Sequence, residues 1–215
     1  MDRRKLGALA GMLGPLVFVG VFSIESALRS SYDPISRFVS ELSLGPRGWI
    51  QIANFVFTSL LYLVFAWGLA SVFTEGKASR FGAPLIALIG FGFLIAGLAV
   101  MDAIWTTPMD MTIHGLIHSL ASAIVFLLMP LSIWVFYRRF REDPRWQGLR
   151  LVTLAAFVLM LIAVVLLRMS TITPLITNPL SPYDGLIQRV LLIAFHGWVF
   201  LFAWRVYNKR ELLNT

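Results

Sequence analysis

Six long apolar runs, separated by short clusters of polar, proline and glycine residues, set the pattern of this chain. They fall at about 6–27, 49–73, 83–105, 112–137, 150–169 and 186–207. Each reaches the roughly 20 apolar residues a helix needs to cross a hydrocarbon layer of about 30 Å. The breaks carry turn chemistry. Ser31-Tyr32-Asp33-Pro34 and Gly45-Pro46-Arg47-Gly48 lie in the first, Glu75-Gly76-Lys77 in the second and Thr107-Pro108-Met109-Asp110 in the third. Arg141-Glu142-Asp143-Pro144 forms the fourth, and Pro174, Pro179 and Pro182 punctuate the fifth. The expected fold is all-α: one bundle of six transmembrane helices over residues 1–215, with no room for a separate soluble domain.

Composition agrees. Of 215 residues, 58% are hydrophobic and 13% charged, with a mean hydropathy of +0.80. A water-soluble domain has about 25% charged residues and could not hide this much apolar surface. Cysteine is absent, which excludes disulfides, thiol catalysis and cysteinyl metal sites. The start, Arg3-Arg4-Lys5 followed by an apolar run, mimics a signal peptide, but the run is longer than a cleaved segment and reads as a retained first helix.

A net charge of +7 in a soluble protein would suggest nucleic acid. Placement gives a better account, and no nucleic-acid partner is expected. With the N-terminus in the cytoplasm, that side collects Arg3, Arg4, Lys5, Lys77, Arg80, Arg138, Arg139, Arg141, Arg145, Arg150, Arg205, Lys209 and Arg210. The other side has Arg29, Arg37, Arg47, Arg168 and Arg189. This bias predicts both termini in the cytoplasm of a cell whose cytoplasmic membrane the chain crosses six times. Trp67, Trp134, Tyr137, Trp204 and Tyr207 would then mark the inner interface, Trp49 and Trp105 the outer. Gly7 with Gly11 and Gly92 with Ala96 suit close helix contacts, and Pro15 and Pro130 fall inside spans.

Ionisable groups inside spans are functional hypotheses by default. Here they gather towards the outer side. Glu25 ends the first helix, Glu41 lies in Ser40-Glu41-Leu42-Ser43, Asp102 near the outer end of the third, His114 and His118 in the first turns of the fourth, and Arg189 at the start of the sixth. The expectation is an outer polar cluster of Ser40, Glu41, Asp102, His114, His118 and Arg189, with His196 deeper. Arg189 is expected to form an internal ion pair with Glu41 or Asp102, and Arg168 to reach the headgroups. Asp33, Asp110 and Asp184 read as solvated groups or helix caps.

His114 and His118 share a helical face. With Asp102 they could hold zinc and activate water, although Gly115 stands where a zincin motif has glutamate. The plainer alternative is hydrogen bonding that pins the turn between helices three and four. His118 and His196 are the one pair placed for haem, a weaker expectation than a satisfied core histidine. Ser40, Ser43 and Ser119 are conceivable nucleophiles that no spacing singles out, and phosphate-loop, dinucleotide and nucleophile-elbow motifs are absent.

Tyr32-Asp33-Pro34, Ser40-Glu41-Leu42-Ser43, Met101-Asp102, His114-Gly115-Leu116-Ile117-His118 and Gly185-Leu186-Ile187-Gln188-Arg189-Val190, in this order, resemble the prokaryotic six-span proteins grouped as the domain of unknown function 998 family. The resemblance implies six helices in a prokaryotic cytoplasmic membrane and no established activity. Its family-like positions are Ser40, Glu41, Asp102, His118 and Arg189. One departure is Val100-Met101 before Asp102, where the family commonly has proline.

Three functions stay open: a binding or accessory membrane protein holding a lipid headgroup, a small ligand or a partner subunit; a membrane-embedded, metal-assisted hydrolase of a lipid-like substrate; and a transporter or proton relay. The first is favoured. A relay would need polar groups continuing past His196, and none is apparent.

Overall fold

The computed structural model describes residues 2–104, 106, 107, 109–172 and 178–208, with the side chains of 76–79, 171 and 172 outside that description. Trp105, Pro174, Lys209, Arg210 and the side chain of Lys77, all used above, lie outside the described residues.

Six α-helices carry the chain: α1 Arg3–Leu28, α2 Gly48–Val72, α3 Gly76–Leu98, α4 Ile113–Glu142, α5 Arg150–Ile172 and α6 Asp184–Asn208. Short 3₁₀ turns at Val39–Ser43, Pro144–Leu149 and Ser181–Tyr183 join them. All six are long and apolar enough to cross a membrane, and the described residues hold no strand. The third helix starts earlier than the apolar run suggests and ends at Leu98, so Asp102 stands outside the helix.

Neighbours pack antiparallel in a closed ring, α1 on α2, then α3, α4, α5, α6 and back to α1. Small residues set the closest approaches. A Cβ on Gly7 would stand 2.6 Å from Gly68 Cα, so backbone meets backbone between α1 and α2. One end of the bundle holds the α1–α2, α3–α4 and α5–α6 connections and is called the loop end below. The other carries the N-terminus with the α2–α3 and α4–α5 connections.

The ring is filled differently along its length. Towards the N-terminal end it is aromatic: Phe202 packs on Phe136 (centroids 4.7 Å apart) and Phe140 (5.3 Å), and Phe73 lies on Trp146 (5.1 Å). Tilted and edge-on contacts of this kind add attraction beyond area burial. Towards the loop end the filling turns polar. Gln51, Asn54, Thr58, Ser59 and Tyr62 of α2 and His196 of α6 are all buried.

Candidate functional site

Two arrangements tie the loop end together. In the first, the segment between α1 and α2 folds onto the start of α6. Gln188 Oε1 accepts from Val39 N–H (2.6 Å), and Leu186 N–H donates to Ile35 O (2.8 Å). A Cβ on Gly185 would collide with the Arg37 and Pro34 carbonyls, so only glycine lets the loop sit this close. Arg189 fastens the contact. Its Nη1 donates to the carbonyls of Pro34 (2.7 Å), Arg37 (2.8 Å) and Gly185 (3.1 Å), and its Nη2 to Ser26 Oγ (3.1 Å) and Tyr32 OH (2.5 Å). Tyr32 OH donates to Phe38 O (2.8 Å).

The internal ion pair expected for Arg189 is therefore not formed. Its planar fork is spent on neutral oxygens, and Glu41 takes Arg37 instead, at 3.7 Å. Glu41 Oε1 also accepts from Phe38 N–H (2.8 Å), closing the turn that contains it. Burial raises the Glu41 carboxyl above its ordinary value, with the Phe38 amide and the Arg37 and Arg189 guanidiniums opposing. Burial likewise raises the Tyr32 phenol against the pull of Arg189. Nearby, buried Glu25 binds Arg47 Nη2 (2.5 Å) and Arg29 Nη2 (3.3 Å), and Arg29 Nη2 reaches on to Leu42 O (2.8 Å). Asp33 is exposed and accepts from Ile35 N–H and Ser36 Oγ. Ser40 is buried in the same loop.

The second arrangement is the α3–α4 corner. Asp102 accepts from Thr112 N–H and Thr112 Oγ1, both at 2.8 Å, and Thr112 caps α4 through Gly115 N–H (3.0 Å). A carboxylate is well placed at a helix start, where free amides and the helix dipole favour negative charge. Its neighbour in space is Gly115, whose Cβ position the Asp102 carboxylate occupies. His118 works in the other direction. It is buried, and its Nδ1 donates to Ala96 O (2.8 Å) and Ala99 O (2.9 Å), carbonyls at the frayed end of α3. This explains why the third helix stops where it does.

The expected cluster thus occupies one end of the bundle without sharing one pocket. Ser40, Glu41 and Arg189 belong to the loop on α6, whereas Asp102 and His118 hold the α3–α4 corner. His114 is exposed. Among the described residues no three His, Cys, Asp or Glu side chains are placed to hold a metal ion. His196 stacks on Phe18 at 4.5 Å and is linked to His118 through Phe18 and Phe55. The cavity bounded by those phenylalanines measures about 30 Å³, far too little for haem.

A larger cleft opens between the two arrangements. It has a volume of about 250 Å³ and is lined by Asp102, Thr106, Ser119, Ser170 and Asp184 together with Phe38, Met101, Ile104 and Met111. Asp184 is buried here and hydrogen-bonded by Ser170, which corrects its reading as a solvated group: the end of α5 packs over it. Arg168 is exposed. The buried stripe on α2 carries no ionisable group and so stands apart from the charged residues that mark the expected cluster. Its signal was present, since Gln51, Asn54, Thr58 and Tyr62 recur at helical spacing in an apolar run.

Six ring-packed apolar helices with their polar chemistry concentrated at one end define a multi-pass membrane protein. The chain belongs to the family described as protein of unknown function DUF998, which it matches over residues 12–205. No curated protein and no solved structure matches it.

Proposed function

We propose that the chain is a single six-span unit of a prokaryotic cytoplasmic membrane, with both termini in the cytoplasm, and that its outer cleft binds the amine-bearing headgroup of a lipid or a comparable small cation. The observation that carries this reading is the cleft itself. Two carboxylates, Asp102 and Asp184, line it, no basic side chain does among the described residues, and Phe38, Met101, Ile104 and Met111 supply an apolar wall. About 250 Å³ is small beside typical ligand pockets, so it suits a headgroup rather than a whole lipid. The orientation is supported by the arginine and lysine bias between the two ends.

Native mass spectrometry of the purified chain in detergent tests the binding. The expected result is an amine-bearing lipid retained by the wild type and lost in Asp184→Asn. Protein that carries no such lipid, or retains it equally in both forms, would count against the reading. Orientation is tested separately, helped by the absence of native cysteine. An impermeant maleimide on intact cells should label Pro46→Cys and spare Gly148→Cys.

A further inference from the structure

The interior of the bundle holds polar atoms that nothing among the described residues satisfies. Gln51 Nε2, Asn54 Oδ1, Thr58 Oγ1, Ser59 Oγ and Tyr62 OH on α2, and His196 Nε2 on α6, are all buried without a hydrogen-bond partner. Membrane interiors supply no solvent to such groups, so leaving them bare is costly.

Rearrangement within the protein does not relieve them. Asn54 Nδ2 donates to Phe18 O (3.1 Å) and to Gln51 Oε1 (3.2 Å). Turning both amides over would only exchange which donor and which acceptor is left bare, and would set Asn54 Oδ1 against the Phe18 carbonyl. Helical hydroxyls usually turn back onto a preceding carbonyl. Ser26, Ser71 and Ser132 of this chain do so, onto Phe22 O, Gly68 O and Met129 O. Thr58 and Ser59 do not. His196 donates from Nδ1 to Leu192 O (2.7 Å), which fixes its neutral tautomer and leaves Nε2 as an acceptor.

From Gln51 to Tyr62 the stripe runs about 16 Å, roughly half the hydrocarbon thickness. It ends against the aromatic half of the ring, where Phe65 meets Phe202 at 5.8 Å. The rings that surround His196 are Phe18, Tyr62, Phe93 and Phe195. They offer no charge to balance an ion, so the guest must be neutral and able both to donate and to accept. Beside them, the cavity of about 30 Å³ has Ser40 and Gln188 of the loop-end layer in its wall together with Phe18, Phe55 and Phe93. That is space for two or three water molecules, at about 10–15 Å³ each.

From these observations we infer that the α2 stripe and His196 form an internal water-binding site, a blind file of bound water that enters from the loop end and terminates at His196 Nε2. Water both donates and accepts, so it serves donors such as Gln51 Nε2 and acceptors such as Asn54 Oδ1 and His196 Nε2 at once.

Radical footprinting of the full chain in nanodiscs, with hydroxyl radicals generated by X-rays in H₂¹⁸O, reads this directly. Tyr62 has 0% exposure and Tyr183 51%. Bound water beside Tyr62 should give it label at no less than about a tenth of the Tyr183 level. As a second measurement, Thr58→Val and Tyr62→Phe delete hydroxyls at nearly constant shape. If water serves those hydroxyls, each substitution lowers the melting temperature in detergent by about 2–4 °C. An unlabelled Tyr62, or melting temperatures that stay level or rise in both variants, would overturn the inference.

Discussion

The carboxylate of Asp102, just beyond α3, holds the amide and hydroxyl of Thr112 at the start of α4, while His118, six residues further on, donates back to Ala96 and Ala99 at the end of α3. Each residue finishes the other's helix. The corner therefore acts as one unit, although its halves differ in burial. His118 is buried, whereas Asp102 is partly open to solvent.

Replacing His118 with alanine strands two carbonyls away from water and should cost about 2–3 kcal/mol. Asp102→Asn keeps one acceptor for the Thr112 amide, gives up the second that takes the Thr112 hydroxyl, and removes the charge at the helix start, which by itself is worth about 0.3–1 kcal/mol. Thermal unfolding in detergent would rank the variants, and the double variant should lose less than the sum of the two. Additive losses in the double variant would contradict the reciprocal arrangement.

Arg189 gathers five oxygens from three segments of chain. Its truncation to alanine is expected to lower stability by about 2–3 kcal/mol, and lysine should recover little, because an ammonium cannot reproduce the forked geometry. Tyr32→Phe removes one of the five contacts and should cost about 1 kcal/mol. A coupling between positions 32 and 189 in a double-mutant cycle checks that they touch in solution.

Glu41 gives the loop end a pH response of known sign. Burial lifts its carboxyl above the ordinary value of 4.5, and the Phe38 amide and the Arg37 and Arg189 guanidiniums only partly offset this. Between that ordinary value and the raised one, the folded state holds the extra proton. Its stabilising contribution is complete below about pH 4.5 and disappears as pH rises through the folded value. Glu41→Gln, which keeps the oxygen facing Phe38, should flatten this slope when melting temperatures of variant and wild type are compared across pH 4–8. A wild type that gained stability relative to the variant over that interval would reverse the sign.

Two glycines of α1 provide a matched comparison. A methyl on Gly7 would drive into the backbone of Gly68, while one on Gly20 meets nothing within 4 Å. Gly7→Ala should push α1 from α2 and cost about 1–3 kcal/mol as overpacking. Gly20→Ala should leave stability level or raise it by up to about 1 kcal/mol through helix propensity. The same melting measurement reports both.

Much of the architecture was legible because spanning length is a property of apolar runs, which neighbours hardly disturb. The exception is instructive. Val100, Met101, Ala103 and Ile104 are apolar enough to prolong α3 on paper, but His118 claims the carbonyls at its end and Asp102 must reach Thr112. Partners were harder to read than positions. Asp184 and Gln188 beside Arg189 suggest a polar helix start and an ion pair, whereas its partners are mostly backbone oxygens that exist only once the loop has its shape. Asp184 looked solvated because nothing in the sequence says that the end of α5 covers it. The α2 stripe carries no charge and so drew no notice, although its spacing was visible.

The ring of helices closes between α1 and α6. Ser26 waits for Arg189, the Phe18 ring of α1 stacks on His196, and the loop after α1 has no seat until residues 184–189 arrive. A ribosome that has delivered five helices has delivered an open crescent, its unfilled groove facing lipid. Biogenesis of this fold is decided by α6, Asp184–Asn208, and truncations that remove it should strand the nascent chain for proteolysis however intact the earlier helices are.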